Sequence, residues 1–400
     1  MPETAEPLPA RLPTAAFLPF LIAGVIIAAA YGSSFLLPEY LRTMAFDNTS
    51  IGRVISAGMV TTLLCCCLAG WAAQHIGVMG SITAAAVAMA GAMVAFACVP
   101  LAPEAAYAGG LLLGVGWSVF YILAPLQIIH HLQPSARLQY FTILSGAQMA
   151  GLGLATPLGH LIVQASASYG LFYELAGSAC LVSALCLVIA QRAMAQLPKS
   201  ATRQVSLRLT DLKALLGSQA ALPIAMILLG ACIFSGLSTY QASYAEGRQL
   251  RADNFFITFT LTSVLLRFSV ARSIGRLPLQ RLAVGLFLFT SLSLGMFLLN
   301  RGSTSLYLLA TVVFAVGYGL SYSTLNSLAV NQAEANGLSP SVTSQVFTLA
   351  YFIGLFGFPS LGGAIMGHWG IDWVLVCLLA AALINLLLIA STHYRRLPSI

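Results

Sequence analysis

Charge is what this sequence has least of. Only 11 acidic and 18 basic residues occur among 400, 7% of the chain, against 59% hydrophobic. Soluble domains carry about 25% charged residues, so a water-facing globular surface is excluded. His-Glu-x-x-His, Gly-x-Ser-x-Gly and Gly-x-x-x-x-Gly-Lys are all missing. The zinc-peptidase, hydrolase and direct ATP-using classes therefore lack their working residues, and no enzyme and no cofactor is expected. All eight cysteines fall within apolar stretches, where they act as small apolar side chains. The "CCC" of Cys65 to Cys67 turns by about 100° per residue on a helix and cannot converge on one ion. No metal site is expected.

What is present is apolar length. Runs of about 20 residues, each enough to cross the hydrocarbon layer as a helix, stand near 17–37, 51–73, 81–100, 106–130, 138–163, 170–191, 221–243, 254–271, 282–300, 305–330, 341–365 and 372–392. The short alternating segments of a transmembrane barrel are absent. The expected fold is all-α and integral to a membrane, with twelve spans in two six-helix bundles.

Lysine and arginine orient it. With both termini cytoplasmic, twelve basic residues fall inside and five outside, Arg267 lying within a span; this is the positive-inside bias. The net charge of +7 is then topology, and no nucleic-acid partner is expected. Residues 192–220 form the one long inner connection, dividing the chain into bundles at 1–191 and 221–400. Its "TDLKALL" reads as a short interfacial helix.

The halves repeat each other. "GWAAQHIGVMG" from Gly70 and "ARSIGRLPLQR" from Ala271 stand 201 residues apart, as do "GVGWSVFY" (Gly114 to Tyr121) and "AVGYGLSY" (Ala315 to Tyr322). "GLGLATPLG" from Gly151 is matched by "GLFGFPSLGG" from Gly354, displaced slightly further. Repeated halves with Gly/Pro-interrupted helices point to a transporter whose site lies between them.

On these residues the chain resembles the major facilitator superfamily over essentially its whole length. The loop signature Gly-x-x-x-Asp-Arg-x-Gly-Arg reads Gly70, Gln74, His75, Gly77 in the first half and Ala271, Gly275, Arg276, Pro278 in the second, both acidic positions being lost. The resemblance implies a cytoplasmic gating role for Gly70, Gln74, His75, Gly77, Arg272 and Arg276, with a weakened charge latch. "LATPLGH" and "GFPSLGG" look like the Gly-Pro-x-x-Gly-Gly motif of the drug/proton antiporters, the better copy standing in helix 11. "FLLPEYLRTMAFDNTSIGR" resembles that branch's first outer loop. Where the branch usually has an arginine in helix 4 this chain has Gly110, so proton antiport does not carry over by motif.

The fold implied by the resemblance lines its cavity with helices 1, 4, 7 and 10, helped by 2, 5, 8 and 11. These carry Tyr31, Trp117, Tyr121, Gln148, Ser235, Thr239, Tyr240, Tyr318, Tyr322, Asn326, Gln345 and Tyr351. Such a wall is aromatic and hydrogen-bonding with almost no fixed charge, suited to an amphipathic organic molecule; membrane tyrosines also serve as interface belts. Tyr318, Tyr322 and Asn326, spaced by four, are expected on one helical face. Thr260, Ser263 and Arg267 share a face at i, i+3 and i+7. Arg267 is either a contact for an anion or a coupling carboxylate, or an anchor snorkelling to the inner surface.

The coupling-proton candidates are Glu39 and Glu174 at the outer side and His130 in "IIHHLQP"; solvated rim carboxylates and a polar helix end are the alternative readings. The expectation is a monomeric secondary transporter working by alternating access in a cell inner (plasma) membrane, exporting a small amphipathic compound with protons as a coupling ion. The alternatives are a proton-coupled importer of a metabolite or a siderophore-like metal chelate, and a receptor that binds without transport.

Overall fold

The computed structural model describes residues 9, 11–132, 134–197, 209–274 and 278–394. They are helical almost throughout. In chain order the helices are α1 (Thr14–Gly32), α2 (Leu37–Thr43), α3 (Asn48–His75), α4 (Gly77–Ala97), α5 (Ala105–His131), α6 (Pro134–Ser166), α7 (Tyr169–Met194), α8 (Leu209–Leu216), α9 (Ala221–Thr239), α10 (Gln241–Glu246), α11 (Ala252–Ile274), α12 (Leu279–Leu299), α13 (Thr304–Gly319), α14 (Ser321–Ala335), α15 (Pro340–Trp369) and α16 (Ile371–Tyr394). Among the described residues ten helical stretches are long and apolar enough to cross a membrane. A lipid-spanning segment must satisfy its backbone internally, which a helix does.

Three apolar runs expected as single helices are interrupted. The first passes through a 3-10 turn at Ser33–Leu36, and Pro38 then opens α2 without losing a helical hydrogen bond. Glu39 stands in the first turn of α2. The seventh breaks at Tyr240 and the tenth at Leu320, whose φ of −111° and ψ of −5° end α13. Tyr318 therefore belongs to α13 and Tyr322 and Asn326 to α14. A further correction concerns the loop signature: α3 runs on to His75, carrying Gly70 and Gln74 with it. The His75 ring lies on Trp71, and its Nδ1 reaches the Trp71 carbonyl at 2.9 Å, which holds the last turn. Only Gly77, at φ +76°, supplies the bend into α4.

The described chain divides into two compact units. The first comprises residues 1–33 and 60–205, the second 34–59 and 206–400. In the first, α1 packs on α6 and α7, and α4 on α5 and α7; in the second, α9 packs on α15 and α16, α12 on α13 and α16, and α11 on α13. Small residues bring backbones together. A Cβ on Gly151 of α6 would lie 2.2 Å from the Val25 carbonyl oxygen of α1. In the second unit a Cβ on Gly354 of α15 would lie at the same 2.2 Å from the Leu228 oxygen of α9, both residues 203 positions on. Likewise Gly116 meets Ala85 and Met89, and Gly317 meets Leu286 and Thr290, 201 positions on.

One corner of the second unit is held by polar contacts. Arg248, just beyond α10, donates from Nε to the Asn300 carbonyl at 2.8 Å, pairs with Asp372 at the start of α16, and lies 4.2 Å over the Tyr244 ring. Arg248→Ala is expected to cost about 2 kcal/mol, mostly through the buried carbonyl left unpaired and the lost packing. Asp372 is largely exposed and contributes little. A fall in the thermal unfolding midpoint, recovered less than halfway by Arg248→Lys, is the result that checks it.

Candidate functional site

In the first unit α1 and α5 bring Tyr31 and Trp117 face to face, ring centroids 4.6 Å apart and planes within 13°. Tyr121, one turn further along α5, lies 5.5 Å from Trp117. Tyr31 and Trp117 are buried and Tyr121 is half-buried. The Trp117 Nε1 has no hydrogen-bond partner, which makes this stack a polar-edged apolar surface. Gln148 is half-buried on α6.

The second unit repeats the stack. Phe234 of α9 and Tyr318 of α13 are 4.9 Å apart and within 6° of parallel, and Phe314 continues the column at 5.5 Å and 6°. Phe234 follows Tyr31 by 203 residues and Tyr318 follows Trp117 by 201, the offsets of the glycine contacts. Beyond the break Tyr322 turns to α15, with its hydroxyl 3.1 Å from Thr348 Oγ1 and its ring against Phe347 and Tyr351. Asn326 keeps a buried Oδ1 without a partner. Thr239 is buried and Gln345 is exposed.

"GFPSLGG" is a stitched proline turn within α15. Pro359 has no N–H and cannot bond the Leu355 carbonyl; Ser235 Oγ donates to that oxygen instead. The Tyr240 hydroxyl donates to the Pro359 carbonyl, and the Ser360 N–H donates to Ser56 Oγ of α3 at 2.8 Å. The glycines then admit α3. A Cβ on Gly52 would lie 2.2 Å from the Pro359 oxygen, and one on Gly363 2.4 Å from the Asn48 oxygen. Nearby on α2, Arg42 donates to Ser243 Oγ of α10 and stands 3.6 Å from Glu246.

The α11 face expected to hold Thr260, Ser263 and Arg267 is present, with both hydroxyl residues buried and Arg267 half-buried. Neither Thr260 Oγ1 nor Ser263 Oγ has a hydrogen-bond partner. Gly319, the last residue before the α13–α14 break, faces Ser263, its would-be Cβ 3.6 Å from Ser263 Oγ.

The titratable candidates are scattered. Glu39 is half-buried on α2 and Glu174 is exposed on α7. Asp47 caps α3, accepting from the Thr49 and Ser50 amides at 3.1 and 3.4 Å. Hydrogen bonding, first from the Ser50 side chain, holds its carboxyl below the usual range. The His130 side chain lies outside the described residues, as do Arg276 and the Arg272 side chain. His131 is buried, and with Gln127, Met79 and Met194 it lines a cavity of about 180 Å³ where α4, α5 and α7 meet. Gly70 is half-buried, while Gln74, His75 and Gly77 are exposed.

Sequence reasoning did not find Phe234, Gly52 or Ser56. Phe234 had a usable signal, its 203-residue offset from Tyr31. Gly52 and Ser56 had none, since their roles depend on Pro359 more than 300 residues away.

Interrupted apolar helices that carry stacked rings, hydroxyls and amides in each of two repeated units fit a multi-pass membrane transporter. The family profile described as Major Facilitator Superfamily matches residues 19–355, and the chain belongs to that family. It is a secondary transporter of small molecules in a lipid bilayer and not an enzyme. No curated protein matches the sequence.

Proposed function

We propose that the protein exports a small amphipathic organic compound by alternating access. The observation that carries this reading is the recurrence of one aromatic stack, Tyr31 on Trp117 in one unit and Phe234 on Tyr318 in the other. Flat apolar surfaces edged by an indole N–H and phenols suit a molecule that is part apolar and part hydrogen-bonding. Tyr121 and Gln148 of the first unit, and Thr239, Tyr240, Tyr322, Asn326 and Gln345 of the second, are the further substrate-binding candidates.

The frame for this activity is twelve spans in pseudo-symmetric bundles at 1–191 and 221–400, joined by the linker 192–220. The termini are cytoplasmic and a monomer sits in a cell inner membrane. The recurring glycine contacts support the repeat. Export is supported by the resemblance of "GFPSLGG" to the antiporter motif and by the use α15 makes of that segment. Proton exchange drives the cycle, with Glu39 as the exchanging carboxylate.

The test compares small molecules inside and outside deletion, wild-type and overexpressing cells. A compound retained by deletion cells and enriched outside overexpressers is the expected result. Depletion from the medium only when the protein is present would reverse the direction and make it an importer. Binding by the purified protein without flux in liposomes would make it a receptor.

A further inference from the structure

We propose that the Thr260–Ser263–Arg267 face of α11 binds an anionic oxygen group of the transported compound, so that the substrate is an amphipathic carboxylate. The inference rests on the transport reading above and narrows its substrate class.

In an apolar helix a serine or threonine ordinarily turns its hydroxyl back onto a carbonyl three or four residues earlier. Ser81, Thr83, Ser118, Thr290, Thr311 and Ser321 all do so, at 2.5 to 2.9 Å. On α11 itself Ser269 does the same, reaching the Leu265 carbonyl at 2.6 Å. Thr260 and Ser263 do not. Both are buried, at 5% and 1% exposure, and neither hydroxyl has a partner. A buried unpaired hydroxyl is unfavourable, and two on one face of one helix are more so.

The face has a direction and a charge. Arg267 follows Ser263 by one turn and Thr260 by two, which puts two O–H donors and a guanidinium in a row along α11. A guanidinium has only donors to offer, and its planar fork matches a carboxylate. A neutral hydroxyl can donate to the same oxygens. Opposite the row, α13 ends at Gly319 against Ser263 and the chain restarts as α14 at Ser321. An interrupted helix beside two unpaired hydroxyls is the kind of arrangement by which membrane transporters hold polar substrate groups. The stacked rings of Phe234, Tyr318 and Phe314 belong to the same unit and accept the apolar part.

The experiment uses the purified full chain in detergent and its thermal unfolding midpoint. The probes are 1-naphthoate, 4-phenylbutyrate and decanoate, each against its primary amide. Expected is a rise in midpoint with at least one carboxylate and none with its amide. The double variant Thr260→Val/Ser263→Ala removes two hydroxyls with almost no change of shape. Without ligand it should be as stable as wild type or more so, because the unpaired groups are gone. Its apparent carboxylate affinity should fall about tenfold or more. Arg267→Lys, which keeps the charge and loses the fork, should weaken the carboxylates and leave the amides unchanged.

Equal stabilisation by acids and amides, or by neither, overturns the inference. So does a double variant that is less stable than wild type without ligand and binds the carboxylates undiminished, since the hydroxyls would then be structural. The comparison of cell contents stands apart from these outcomes. A protein-dependent compound that is neutral or cationic sinks the anion assignment and leaves transport standing. No protein-dependent compound at all sinks both.

Discussion

Gly151→Val and, separately, Gly354→Val are expected to leave little folded protein in the membrane. At each position a Cβ would stand 2.2 Å from a backbone carbonyl oxygen, Val25 in one unit and Leu228 in the other. Further atoms wait just behind, the Ala29 nitrogen at 3.1 Å and the Ala231 Cβ at 2.9 Å respectively. An oxygen on a helix backbone cannot rotate away as a side chain can, so the helices themselves would have to part. α1 also packs on α7, and α9 on α16, and close-packed interiors do not yield on that scale. Overpacking costs about 1–3 kcal/mol where side chains can adjust, and more here. That is a large fraction of a total stability of about 5–15 kcal/mol. Size-exclusion profiles of detergent extracts read the outcome, with Gly146→Ala, Gly285→Ala and Gly295→Ala as controls. Nothing lies within 4 Å of a Cβ at those three positions, and alanine there gains up to about 1 kcal/mol of helix propensity. Wild-type profiles for both valine variants would show that the close approaches carry no structural weight.

Legibility in the sequence followed the range of the interaction. Apolar length marked where helices lie, because a span must bury its own backbone whatever its neighbours do. The repeat spacing was visible because equivalent glycines and aromatics recur in order, and the matched stacks of Tyr31 on Trp117 and Phe234 on Tyr318 fall at those spacings. Breaks were not visible. Nothing at Tyr240 differs locally from a continuing helix, and the interruption at Leu320 comes after a glycine of a kind that continuous helices here also contain. Spacing by four therefore ran Tyr318, Tyr322 and Asn326 across a helix end. The loop signature misled in the opposite sense. Gly70, Gln74 and His75 occupy loop positions by resemblance, but the Trp71–His75 contact keeps α3 helical through them. On α11 the shared face of Thr260, Ser263 and Arg267 was readable from periodicity alone, while the unpaired state of the two hydroxyls required knowing what surrounds them.

Gly52→Val should separate transport from folding. Its Cβ would meet the Pro359 oxygen at 2.2 Å, as close as the contacts at Gly151 and Gly354. The helix it belongs to is differently placed, because α3 is divided between the two compact units at residues 59 and 60. As far as Met59 it packs with α15, through Asn48 on Gly363, Gly52 on Pro359, Ser56 on Ser360 and Met59 on Gly357. Alternating access requires some helix to exchange partners, and a seam of glycines with one side-chain hydrogen bond can open without exposing a large apolar core. A valine at position 52 should wedge this seam while the packing within the first unit stays as it is. Expected are an unfolding midpoint within about 5 °C of wild type and transport lowered about tenfold or more. A cysteine placed at Ser56 in a cysteine-free chain should react with a thiol reagent faster in the Gly52→Val background. Ser56→Ala, which loses only the bond from the Ser360 amide, should have a smaller effect on transport. If Gly52→Val instead behaves like Gly151→Val and fails to accumulate, the α3–α15 seam is a fixed part of the fold. The partner exchange must then be sought at the breaks at Tyr240 and Leu320, where α9 and α13 already end inside their apolar runs.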